Sequence, residues 1–130
     1  MTVQEAIAAA ELLLPGIAAP DGEIDPRWQA IIKVGDFIES DPEPIWQFTA
    51  KWGCHADADL RMGIACCLLE HLLEWHFETI FPRAASLARE NALFADSVSS
   101  CWKMGNSKEP GNAALMDALL REIRSRKKSG

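Results

Sequence analysis

The stretch DADLRMGIACCLLEHLLEWH, residues 57–76, sets the architecture of the chain. On a wheel of about 100° per residue, Met62, Ile64, Ala65, Cys66, Leu68, Leu69, Leu72, Leu73, Trp75 and His76 fill more than half the circumference. A helix that is apolar over so wide an arc must be covered on two sides, which predicts a central helix with neighbours packed around it. Only a narrow stripe carrying Gly63, Cys67, Glu70, His71 and Glu74 is left for solvent or a partner.

The start signal at Asp57 recurs upstream with a step of 16 residues, giving Asp25, Asp41 and Asp57. Asp25-Pro26 and Asp41-Pro42 put a carboxylate at the N-cap and a proline at the first helical position. There the missing N–H costs nothing and φ is already helical. Gly53 closes the second of these helices. The first, Trp28 to Glu39, has Gln29, Lys33 and Asp36 as its wet edge.

Further toward the N-terminus, Thr2 and Glu5 have the T-x-x-E spacing of a capping box, and the helix they open runs to residue 14. Residues 15–26 hold three Pro and two Gly with Asp21, Glu23 and Asp25, an exposed acidic connector. Beyond His76 the chain turns, and Pro82 starts or kinks a helix that runs toward Asn91. Another helix is expected from Leu93 to Met104, capped by Gly105. After a polar loop, Asn112 caps a last amphipathic helix over 112–125 with Leu115, Met116, Leu119, Leu120 and Ile123, ending in a basic tail.

These elements predict one all-α domain over residues 1–130, about six helices arranged as a right-handed stack of antiparallel pairs, with core helices in 25–104. A chain of this length buries a core without staples. Cys54, Cys66, Cys67 and Cys101 show no C-x-x-C spacing, so reduced thiols in a cytoplasmic protein are the simpler expectation. Glu5 and Glu11 interrupt the N-terminal apolar stretch, which argues against a secretory signal. No apolar run approaches the roughly 20 residues that span a bilayer. Residues 1–120 hold 18 acids against 8 bases, and residues 121–130 hold 5 bases against 1 acid. The acidic body repels phosphate backbones and makes nucleic acid an unfavourable partner.

The segment Asp57-Ala-Asp59-Leu60-Arg61-Met62-Gly63-Ile64-Ala65-Cys66-Cys67-Leu68-Leu69-Glu70-His71-Leu72 resembles the second helix of a HEAT-type repeat. The likeness lies in an acidic cap, an apolar residue plus Arg, a small residue and then spaced leucines. Residues 44–52 stand as its first-helix partner, and the HEAT-like, armadillo-type resemblance extends over residues 25–104. It implies a piece of curved α-solenoid acting as a protein-binding scaffold. Trp52 with Asp57 to Arg61 also resembles part of the HEAT-like DNA-alkylation-repair glycosylases, which implies nucleic-acid binding. That family is longer and basic, whereas this chain is short and acidic.

Five residues are the candidates for partner contact. Cys67, Glu70, His71 and Glu74 fall at i, i+3, i+4 and i+7 along one strip. Trp46 lies opposite Ile45, Phe48 and Trp52 on its own helix, so it is either an exposed interface anchor or packed on an adjacent helix. Thiolate, imidazole and carboxylate also suit Zn²⁺, which makes the strip an alternative metal or small-ligand site, although it lacks any recognised ligand spacing. The simpler account is a solvated stripe with a His71–Glu74 ion pair. His76 is expected to be partly buried and bonded to a carbonyl. Cys54-His55 has no third group to orient its imidazole.

Arg121, Arg124, Arg126, Lys127 and Lys128 match the dipole at the end of the last helix, or else contact an acidic partner, a membrane surface or RNA. No G-x-x-x-x-G-K-[ST], H-E-x-x-H or G-x-S-x-G occurs. The expectation is therefore a non-catalytic protein-interaction module without a cofactor.

Overall fold

The computed structural model describes residues 1–129 and is all-helical, with no strand among them. The helices are α1 (Val3–Leu13), α2 (Pro26–Gly35), α3 (Pro42–Trp52), α4 (Ala58–Ile64), α5 (Glu70–Glu90), α6 (Ala92–Ser99) and α7 (Pro110–Ser129). A single π turn, Ala65–Leu69, joins α4 to α5, so these form one continuous rod and the rods number six. A short 3₁₀ turn, Gly105–Lys108, precedes α7.

Side chains drawn from the sequence itself set the helix starts. Thr2 and Glu5 form the reciprocal capping box of α1. Asp25 accepts the Arg27 N–H, and Asp57 accepts the N–H groups of Asp59 and Leu60. Asp41 departs from this pattern. It precedes Pro42 as expected but makes no capping bond, and Ser40 donates to its carboxylate instead. Asn91 caps α6 by accepting from Leu93 and Phe94. That helix ends at Ser99, short of Met104, and α7 begins at Pro110, ahead of Asn112.

The rod is the buried centre. Leu60, Ile64, Leu68, Leu69 and Leu72 have no exposed surface, and each contributes about 1.5–3 kcal/mol by burial. α2, α3, α6 and α7 all touch it, while α1 packs chiefly on α2 and α3. Val3, Ala6, Ala10 and Leu14 supply the buried face of α1 at helical spacing. Gly63 sits beneath Trp28, where a Cβ would come within 3.2 Å of the indole.

Two irregularities bend the rod out of one register. At the π turn the Glu70 N–H reaches back to the Ala65 carbonyl, five residues away. At His76 the backbone leaves helical angles (φ −134°, ψ 41°). Pro82 lacks the N–H that the Glu78 carbonyl would accept, and the bend falls in the turn before that gap. Side chains bond carbonyls at the bend, Asn106 donating to Trp75 and Thr79 to His76. The ring Nε2 of His76 lies 2.8 Å from the Ile38 carbonyl oxygen, the partner type the sequence suggests.

Candidate functional site

A groove runs between the rod and α2 with the turn that follows it. Ile32, Gly35, Asp36, Ile38 and Glu39 line one wall, with Cys66, Cys67, His71 and Trp75 on the other, and the space between measures about 380 Å³. The walls approach closely at the floor, where a Cβ on Gly35 would lie 3.2 Å from the Cys67 carbonyl oxygen. Among the lining residues, Trp75 is 51% exposed and Ile32 46%.

Of the sequence candidates, Cys67 and His71 line this groove. The Nδ1 of His71 pairs with the Glu74 carboxylate at 2.7 Å, which is the ion pair of the simpler account. Glu70 is not on the surface. It is 4% exposed, and its Oε1 accepts the Trp102 backbone N–H at 2.6 Å. The π turn is the reason: an inserted residue within the helix rotates the downstream residues by about 100° relative to a regular wheel. The same rotation and the bend at His76 bring Trp75 out of the apolar arc into solvent, and Met62 is also half-exposed.

Trp46 is likewise corrected. It is buried, 9% exposed, with its ring edge-on to Phe94 at 5.9 Å. The adjacent helix that covers it is α6, which packs against α4 and α5 and brings Phe94 onto this tryptophan. Trp46 belongs to a different, shallower depression with Ala50, Pro82, Arg83 and Leu87. The exposed aromatics are Trp75 and Trp102, and the loop carrying Trp102 is held by Glu70.

The thiols of the groove are held in their neutral form. Burial pushes the Cys67 thiol up, with Cys66 and Glu70 adding to the shift, and burial and Glu70 do the same for Cys66. Neutral thiols are poor nucleophiles and poor metal ligands. Among the described residues, no three His, Cys, Asp or Glu side chains converge where a metal ion could be held. Neither does Cys54 pair with His55, whose Nδ1 accepts the Asp57 N–H at 3.1 Å and whose ring stacks on Trp52. Asp36 and Glu39 enter no ion pair among the described residues, so the charge on the wall formed by the turn after α2 is acidic.

A second constellation escaped the sequence reading. Arg27 is 2% exposed, and its guanidinium reaches Asp57 at 2.9 Å, Asp59 at 2.8 Å, Asp25 at 3.5 Å and the Gly16 carbonyl at 3.3 Å. This clasp ties the connector, the start of α2 and the start of the rod together. Its only hint in the sequence is the excess of acids at the two caps. Burial works against the Arg27 charge, yet the hydrogen bonds to Asp57 and Asp25 outweigh it and raise its pKa. Arg61, the residue of the repeat-like pattern, donates to the His55 and Ala56 carbonyls and lies 3.6 Å from Asp96.

The chain matches no family model, no curated protein and no solved structure. No described helix is long and apolar enough to cross a membrane.

Proposed function

We propose that the chain is a non-catalytic, HEAT-like interaction module and that the groove between α2 and the rod is where a protein partner binds. The observation that carries this reading is a preformed groove whose two walls each expose a large apolar side chain, Ile32 on one and Trp75 on the other. A solvated tryptophan loses little rotamer freedom on contact and buries a large apolar area, which is why such residues anchor interfaces. The neutral thiols and the engaged His71 support recognition over turnover.

A photo-cross-linking side chain placed at Ile32 in the living cell tests the reading. A discrete heavier adduct is expected from Ile32 and none from Ser86, which lines the separate depression beside Trp46. In the same chain, Trp75→Ala should abolish the adduct while shifting folding stability by less than about 1 kcal/mol, as befits a half-exposed side chain. Absence of an adduct at Ile32 and at other groove positions would sink the proposal.

A further inference from the structure

The geometry points to a specific occupant for this groove, namely the basic end of α7 from a second copy of the chain. The inference rests on the groove being an interaction surface, and it adds what fills it. On the wall formed by the turn after α2, the exposed charges are Asp36 and Glu39, unpaired among the described residues. Lys33, the nearest base on α2, lines a separate groove against α1. A ligand entering here is therefore selected for positive charge together with apolar surface.

α7 has that chemistry. Arg121, Arg124 and Lys128 stand at i, i+3 and i+7 and form one exposed stripe, on the side of the helix opposite the buried Met116, Leu119 and Ile123. They enter no close ion pair among the described residues, Arg121 and Arg124 acting on Asp117 only at longer range, whereas Arg126 pairs with Glu122 and Lys127 with Asp96. An arginine plane stacks well on an indole such as Trp75, and long basic side chains lay their methylenes over apolar residues such as Ile32 while their heads meet carboxylates.

The tail cannot serve its own groove. Arg126 donates to the Arg89 carbonyl and Lys127 is bound to Asp96, which holds the end of α7 at the far end of α5 and beside α6. The contact must therefore form between copies, groove to tail. Because the two surfaces differ, the association is heterologous and leaves a free groove and a free tail unless it closes on itself.

Sedimentation of the full chain decides the matter. At about 0.05 M salt, species heavier than a monomer should grow with concentration, and they should vanish at about 1 M, where the screening length falls to roughly 3 Å. The triple variant Arg121→Glu/Arg124→Glu/Lys128→Glu and the double variant Asp36→Lys/Glu39→Lys should each remain monomeric. All five positions are solvent-facing, and circular dichroism checks that both variants fold. An equimolar mixture of the two should associate again, because each then meets a surface of opposite sign.

A wild-type chain that stays monomeric at low salt overturns the inference. Association that persists in both folded variants, or a mixture that fails to associate, does the same. If Ile32 cross-links to a different protein while the chain sediments as a monomer, the interaction module stands and the second copy does not. Monomeric sedimentation with no cross-link removes both.

Discussion

Single side chains in this protein are governed by what the neighbouring element offers them, and Arg27 shows the consequence most plainly. Its four partners come from the connector, the α2 cap and the start of the rod. Replacing it by methionine keeps an unbranched apolar stem but removes the guanidinium and leaves carboxylates facing one another. Because Asp57 and Asp59 retain contact with water, the expected cost is about 2–3 kcal/mol, toward the low end for breaking a buried pair. The pH dependence has a definite sign. The Arg27 hydrogen bond, helped by the Leu60 and Asp59 N–H groups, holds the Asp57 pKa below its ordinary value; at Asp25 burial opposes the shift, but backbone N–H groups and Arg27 still lower it. A depressed native pKa stabilises the fold fully above the unfolded value of about 3.9, and that stability is lost as the pH falls through the native values. Urea midpoints measured at neutral pH and at about pH 3 should therefore converge between wild type and Arg27→Met. An equal gap at both pH values would show that the carboxylates do not depend on Arg27.

For the secondary-structure elements, the decisive feature is the π turn inside the rod. Asp25 and Asp57 were legible as caps because a cap involves only one side chain and the next two or three N–H groups. The π turn was not legible, because nothing in Ala65–Leu69 forbids a regular helix. It persists in the fold where Glu70 meets the Trp102 loop and the Cys101 thiol donates to the Ala65 carbonyl. Since a π turn is one residue inserted into an α-helix, deleting Cys66 should convert it to α while keeping both flanks in register. Deleting Leu73, in regular helix and buried, should rotate one flank against its partners. The Cys66 deletion is expected to retain the thermal transition and the Leu73 deletion to lose it. Equal damage from both would mean that the turn carries packing the flanks cannot recover. The same slip offsets Cys67 from the residues after the turn; among those, the Trp102 loop covers Glu70, while His71 and Glu74 form a half-buried ion pair.

Over the whole molecule, stability should be graded outward from the rod. α1 packs chiefly on α2 and α3, and its last turn runs into the exposed connector. Hydrogen exchange is expected to release the α1 amides through a cheaper opening than those of residues 60–73, where Leu60, Ile64, Leu68, Leu69 and Leu72 are fully buried. Exchange of both sets at one common rate would contradict that ordering. The all-helical class, the capping box at Thr2, the stops at Leu14 and Gly53, and the Asp57 helix as the buried centre were all legible in the amino-acid sequence. Those features come from local hydrogen bonding and from a periodicity that needs no knowledge of neighbours. Tertiary packing was needed to settle that Trp46 is covered and Trp75 is not, that Glu70 is internal, and that Arg27 gathers three aspartates. Each of these depends on which helix lies opposite and on small register changes, and the free energies that select them arise from contacts between residues some 30 to 50 positions apart.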